Sequence, residues 1–285
     1  MDNYDVINDN EIRIVGKNPN NPIHEEPQQP KRPSWKRGVV AIIILALIAC
    51  CVFLYRACAD EKTEEKNVTT DTTSVTALPY VEISDTIINN ISLRRFIPMN
   101  AKPKVKVGLF KQIPQEYVLG AMAADFGKYG DEYQVVGSFV QQGNMLSHSK
   151  SKYGFCAILK DRVVIGNDLA TPYFEQAIEE KGDFFRQYAL VEKGDAIDNP
   201  PTHKDALRRA LCRMNDGRLC IIDTDMEVSL NDFAKALCSY GIRDAITLMG
   251  TGAAVRWAVD KAGRRYIAGA DEYEFPEVVN YIVWE

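Results

Sequence analysis

Histidine is nearly missing from this chain: His24, His148 and His203 are the only three in 285 residues. A histidine metal cluster is therefore not expected, and His203, just after Pro200-Pro201, reads as a loop residue rather than a base. Cys-x-x-Cys pairs are missing too, which argues against a zinc site or dithiol exchange; no metal and no cofactor is expected. There is no long basic stripe, and the formal charge is −5, so nucleic acid is not an expected partner. Lys102, Lys104 and Lys106 alternate with Pro103, Val105 and Val107, the pattern of a strand's solvent face. No internal repeat is visible.

The seven cysteines divide by location. Cys50, Cys51 and Cys58 lie in or beside an apolar run, and Cys156, Cys212, Cys220 and Cys238 lie in the body of the chain. Cys212 and Cys220 flank a turn at Asn215-Asp216-Gly217. A three-residue loop sets them opposite each other and a two-residue loop separates them. Packing as small buried thiols is preferred to a disulfide, because cross-strand disulfides strain their geometry.

The apolar run is Gly38 to Tyr55, eighteen residues without a charge, at the lower limit for a membrane-spanning helix. Lys31, Arg32, Lys36 and Arg37 precede it and Arg56 follows closely, so the positive-inside rule leaves the N-terminus in the cytoplasm. Ala57-Cys58-Ala59 and Leu47-Ile48-Ala49-Cys50 offer a cleaved signal as the competing reading; the uncleaved anchor is preferred, since either cleavage site needs a long preceding basic region. Residues 1–37 read as a disordered cytoplasmic tail that is open to a protein partner. Residues 38–55 are the span, 56–79 a polar stalk, and 80–285 an extracytoplasmic domain.

Within that domain, strands are expected around Tyr80–Ile83, Ser92–Phe96 and Val105–Leu109, then a helix near Gln115–Phe126 and a strand over Tyr133–Val140. Asp216-Gly217 between the apolar runs Ala210–Met214 and Leu219–Ile222 predicts a hairpin. Ser229 and Asp232, three apart, cap a helix. Its stripe is Leu230, Phe233, Ala234, Leu237 and Cys238, and Gly241 ends it. A buried strand, Ala245–Met249, leads into the turn Gly250-Thr251-Gly252, whose backbone N–H groups are placed to face an anion. The expected class is α+β, a twisted mixed β-sheet with packed helices, preceded by one transmembrane helix.

This order of elements resembles the phosphodiester glycosidase family. Arg208-Arg209-Ala210-Leu211-Cys212 looks like that family's Arg-Thr-Ala-Ile-Gly-like strand, with Arg208 at its arginine, and the Asp216-Gly217-Arg218 turn fits. Arg186-Gln187-Tyr188-Ala189-Leu190-Val191 with Gly194 is similar to its Gln-Ser-Gly-Pro-x-Leu-Val segment. Tyr153-Gly154-Phe155 with Ile158–Ile165 is similar to the strand pair after its first site loop. Where the family has Leu-Asp-Gly-Gly-Gly-Ser, this chain has Met249, Thr251 and Ala253 in place of the Asp, a Gly and the Ser.

The resemblance implies hydrolysis of a sugar 1-phosphodiester on a cell-envelope glycan, weakened by loss of the carboxylate and hydroxyl. The alternative is an inactive pseudoenzyme that binds a glycan or a protein. Arg208, Gln187, Gly250, Thr251, Gly252 and Asn144 are its candidate binding residues. Arg208 offers a fork of donors suited to phosphate; its competing role is a surface strand charge, as that of Gln187 is an edge-strand polar group. The catalytic residue is unassigned: the family's acid position is Met249, and Asp223 and Asp225 are candidate substitutes.

Overall fold

The computed structural model describes residues 77–149, 151–198, 205–250, 252–269 and 275–285. The expected tail, the span at 38–55 and nearly all of the stalk lie outside the described residues, as do His203 and Thr251. Among the described residues no helix is long and apolar enough to cross a membrane.

In chain order the first strands are β1 (Tyr80–Ile88), β2 (Ile91–Met99), β3 (Pro103–Val107), β4 (Leu119–Met122), β5 (Phe126–Tyr129), β6 (Glu132–Val135), β7 (Phe139–Gln141) and β8 (Asn144–Ser147). Then come β9 (Gly154–Ile158), β10 (Val163–Asn167), helix α1 (Tyr173–Glu179), β11 (Asp183–Gln187), β12 (Ala189–Glu192) and β13 (Asp195–Ala196). The last elements are β14 (Arg209–Met214), β15 (Leu219–Thr224), helix α2 (Leu230–Ser239), β16 (Ile242–Leu248), β17 (Arg256–Val259), β18 (Arg265–Ala268) and β19 (Asn280–Trp284).

They form a seven-stranded sheet, β1-β2-β15-β14-β16-β12-β13, and two five-stranded sheets, β10-β9-β11-β7-β8 and β18-β17-β4-β19-β3, with β5-β6 as a separate hairpin. The pairings between these strands are antiparallel. The one parallel contact among the described residues is an isolated bridge, Val81 to Asp260. The expected mixed sheet is thus corrected to antiparallel sheets, and the α+β class to a mostly β domain with two short helices. Parallel neighbours need crossovers of a dozen or more residues, usually helical, and here many neighbours are joined by short turns.

A second correction concerns Gln115–Phe126, expected as a helix. It contains β4 instead, all four residues of which are buried between β17 and β19. Gly120 shows why: a Cβ there would overlap the indole ring of Trp257, so the glycine admits a ring that is itself fully buried. The run expected from Tyr133 to Val140 is divided into β6 and β7 by Gly137, whose φ is +92°.

The hairpin and its helix match the sequence more closely. Gly217 turns with φ of +87°, and Cys212 stands opposite Cys220. Both are buried free thiols, and burial holds the Cys212 thiol well above its usual pKa. The Ser229 hydroxyl accepts the Asp232 N–H at 3.0 Å, and Gly241 follows α2 with φ of +83°. Leu230, Phe233, Ala234 and Leu237 bury the helix against Ala210, Cys212, Cys220, Ile222 and Ala245 on one face of the seven-stranded sheet. Full burial of Leu230, Phe233 and Leu237 stabilises this layer by about 1.5–3 kcal/mol each. The opposite face carries Phe96, Leu211, Ile221, Ile246 and Leu248 into a core shared with Leu119, Phe139, Phe185 and Ile282 of the five-stranded sheets.

Candidate functional site

Three chain segments meet at the end of β16. They are the glycine turn that follows it, the junction of β11 with β12, and the two residues after β4. The Ala123 carbonyl joins all three, accepting the Met249 N–H at 3.3 Å and the Gln187 side-chain amide at 3.1 Å. Gln187 is 1% exposed and lies in the central strand of its sheet, so its competing role as an edge-strand group does not apply. Its amide also donates to Asp125 Oδ1 at 3.0 Å, and its carbonyl accepts from Lys152 Nζ at 2.9 Å and from the Thr247 hydroxyl at 3.3 Å. With two donors and two acceptor directions all used, Gln187 acts as a bracket for its neighbours.

Lys152 completes the cluster. Its ammonium pairs with Asp125 Oδ2 and lies over the Tyr188 ring, 4.8 Å from the centroid. Its side chain is 6% exposed and that of Asp125 is 29% exposed, so the carboxylate is the member of the pair that faces solvent. The backbone at Lys152 is left-handed, with φ of +63°, an unusual state for a side-chain-bearing residue.

Arg186 holds that bend. Buried beneath it, the guanidinium donates to the carbonyls of Lys152, Tyr153, Asp168 and Leu169 at 3.0–3.3 Å. Burial lowers its pKa from the usual arginine value, opposed by Asp168 and Glu175. Gly154 is needed at the same place: a Cβ there would lie 2.6 Å from the Ala189 nitrogen, against the main chain joining β11 to β12.

A second buried network supports the glycine turn from the other side. Arg209 grips Asp223 through two bonds, at 2.8 and 3.1 Å, and Arg256 reaches the same carboxylate at 3.0 Å. Arg256 also stacks 4.0 Å from the Phe96 ring centroid, and burial lowers its pKa against the pull of Asp223. Arg209 Nη1 donates to the carbonyls of Met249 and Ala254, both at 3.1 Å. Those two carbonyls therefore turn toward a cation, whereas an anion cradle presents N–H groups.

The sequence-predicted residues are distributed unevenly over this geometry. The main chain of Arg208 packs on Gly250: a Cβ on that glycine would lie 2.6 Å from the Arg209 nitrogen and 2.9 Å from the Arg208 carbonyl carbon. The Arg208 side chain, half-buried, donates from Nε to the Val228 carbonyl at 3.0 Å, and its N–H donates to the Thr224 hydroxyl at 2.8 Å. Gly252 lies 4.0 Å from Leu207, measured from an added Cβ. Asn144 is exposed on β8, the edge strand two places from β11, where it pairs with Gln141; it makes none of the cluster's contacts described above.

Asp223 is enclosed by the two arginines, with 12% of its side chain exposed, and Asp225 accepts from the Ser92 hydroxyl at 2.8 Å. Met249 is buried in an apolar cluster with Tyr117, Met122 and Trp257, and Ala253 is buried as well. Asp125, Lys152 and Arg209 were not among the residues singled out in the sequence. For Arg209 one signal was available: a three-residue hairpin loop sets it opposite Asp223, as observed. Among the described residues no group of three or more His, Cys, Asp and Glu is placed to hold a metal ion.

No protein-family model matches the chain, and no curated protein matches it. Among solved structures it is similar to the catalytic domain of zebrafish N-acetylglucosamine-1-phosphodiester alpha-N-acetylglucosaminidase, auto-inhibited by its pro-peptide. That match has 14% identity over 74% of this chain and 84% of the other, with a TM-score of 0.52. A hypothetical protein from Synechocystis matches at 10% identity over 72% of this chain and 62% of its own, with a TM-score of 0.49. A putative exported protein from Burkholderia pseudomallei matches at 8% identity over 68% and 73%, with a TM-score of 0.44. The likeness to the zebrafish enzyme shows a phosphodiester glycosidase-like fold.

Proposed function

We propose that this protein is a membrane-anchored, extracytoplasmic hydrolase of a sugar 1-phosphodiester on a cell-envelope glycan, working slowly at the place where the glycine turn meets Asp125, Lys152 and Gln187. The observation that carries this reading is the Ala123 carbonyl, shared by the Met249 N–H and the Gln187 amide. It makes the turn and a buried polar cluster one site, in a fold shared with an enzyme whose name describes cleavage of N-acetylglucosamine 1-phosphodiesters. Buried polar clusters that leave one ionisable group toward solvent are the usual setting of chemistry. Arg208, whose main chain lies against Gly250, is the proposed phosphate contact. Slowness follows from Met249, since losing a positioned acid or base costs on the order of 10²- to 10⁴-fold.

A second reading is a pseudoenzyme that binds a glycan or protein partner. It draws on Arg209, whose guanidinium is bonded to the Met249 and Ala254 carbonyls on either side of the turn. The test is incubation of purified full-length protein with the benzyl phosphodiester of N-acetylglucosamine 1-phosphate, with release of free sugar followed by chromatography. Slow, protein-dependent release is expected. Binding of N-acetylglucosamine 1-phosphate without release from the diester would favour the pseudoenzyme, and neither binding nor release would remove both readings.

A further inference from the structure

Three carboxylates lie close to the two networks around the turn, and they differ in what remains available. Asp223 is closed by Arg209 and Arg256. Asp225 takes the Ser92 hydroxyl at 2.8 Å. Asp125 accepts on both oxygens, from Gln187 and from Lys152. A carboxylate offers roughly four lone-pair directions, so two remain, on a side chain that is 29% exposed.

The ammonium of Lys152 is used up: one N–H goes to Asp125, one to Gln187 and the third face lies over the Tyr188 ring. It has no donor left for a ligand. Its effect is to fix and orient the carboxylate, with Arg186 holding the main chain from behind. Oxygens that accept on both sides are arranged to take a proton rather than to give one.

The chemistry of the proposed substrate needs such a group. When the sugar–oxygen bond of a 1-phosphodiester breaks, the departing group is a phosphate monoester, whose second pKa is roughly 6. It can leave at neutral pH without being protonated, so the reaction still proceeds, slowly, without an acid at position 249, whereas a base for water is required. We propose that Asp125 is the general base of this site and that Lys152 and Gln187 are its positioning residues; this rests on the hydrolase reading above. One Asp125 oxygen takes a proton from water as the water oxygen bonds to the anomeric carbon. The bond from that carbon to the phosphate oxygen breaks, its electron pair leaving with the phosphate. The products are the free sugar and the monoester, and Asp125 returns its proton to solvent.

The test compares full-length wild type with Asp125→Asn, Asp125→Ala, Lys152→Met and Lys152→Arg, using the same benzyl phosphodiester for turnover and calorimetric binding of N-acetylglucosamine 1-phosphate. Thermal unfolding is measured alongside as a check on folding. Asp125→Asn should lower kcat by about 10²- to 10⁴-fold with KM changed by less than about threefold, and formate should restore turnover to Asp125→Ala. Lys152→Met should lower kcat with KM changed by less than about threefold, because the carboxylate loses the ammonium that orients it, and Lys152→Arg should recover part of that loss. An Asp125→Asn variant as fast as wild type overturns the base and leaves the hydrolase reading standing. So does a loss confined to KM, or an Asp125→Ala variant that is folded but unresponsive to formate. A wild type that binds the probe but releases no sugar from the diester overturns both.

Discussion

Met249→Asp restores the carboxylate that the resemblance assigns to this position, and the structure sets what it costs. Met249 is 7% exposed and packs with Tyr117, Met122 and Trp257. Removing its side chain gives up about 1.5–3 kcal/mol of burial. The new carboxylate would enter apolar surroundings that favour its neutral form, raising its pKa by up to roughly 3 units, and each unit is worth about 1.4 kcal/mol. The sign follows from linkage. With the folded pKa above the unfolded one, the folded state binds more protons, so stability falls as pH rises from the unfolded value to the folded one.

The expected loss is therefore about 2–3 kcal/mol near pH 4 and about 5–7 kcal/mol near pH 7, against a typical total of roughly 5–15 kcal/mol. Urea unfolding of wild type and variant at both pH values measures the difference, and turnover of the phosphodiester is followed in parallel. A loss that is the same at both pH values, or under about 1 kcal/mol at pH 7, would refute the reasoning; the carboxylate would then have reached a partner, with Arg209 the nearest cation to the Met249 carbonyl. A rise in turnover would show that this position belongs to the reaction after all.

Gly154→Ala should cost about 1–3 kcal/mol by overpacking and lower turnover as well, because its Cβ meets the main chain beside Gln187; an alanine variant with wild-type urea midpoint and rate would refute the close approach. Burial raises the Asp183 pKa, against the N–H bonds from Gln142 and Val105 that lower it. Folding then binds a proton above the ordinary carboxylate pKa, and this term destabilises the fold as pH rises. Asp183→Asn should therefore make the slope of unfolding free energy just above the ordinary carboxylate pKa less negative than in wild type, and an unchanged slope would count against it. Protease added to spheroplasts should remove the domain from Tyr80 onward and leave a membrane-bound stub; a protected domain would reverse the proposed orientation.

The parts of the fold that were legible in the sequence are those set by local chemistry. The Asp216-Gly217 turn located the β14–β15 hairpin, with the choice between a two- and a three-residue loop, and hence the register, made only by the structure, and the Ser229 cap and the apolar stripe located α2. The segment from Gln115 to Phe126 was misread because Leu119, Ala121 and Met122 form a short apolar run, which suits a buried strand as well as a helix. What decides it is Gly120 beneath Trp257, a contact more than a hundred residues away in sequence.

The candidate site divides in the same way. Gln187 stood out because it belongs to a segment with a family resemblance, but its saturation by Ala123 and Asp125 after β4, Lys152 before β9 and Thr247 on β16 comes from three separate parts of the chain and could not be read from any one of them. Arg208 and Arg209 are adjacent, and strand alternation sends such neighbours to opposite faces. Sequence alone identifies an arginine at this place without telling which of the two enters the turn. Cross-strand pairing resolves that choice: with Asp223 opposite Arg209, the buried guanidinium is the one that has a buried carboxylate to meet, and an unpaired charge at that depth would cost several kcal/mol. Arg208, one residue earlier, is thereby directed to the α2 side, where it bonds the Val228 carbonyl just before the helix. The two arginines thus divide the labour that one was expected to perform. Arg209 secures the turn from within, while the Arg208 side chain is engaged at the segment leading into α2, and Asp125, at 29% exposure, is the carboxylate of the cluster that faces solvent.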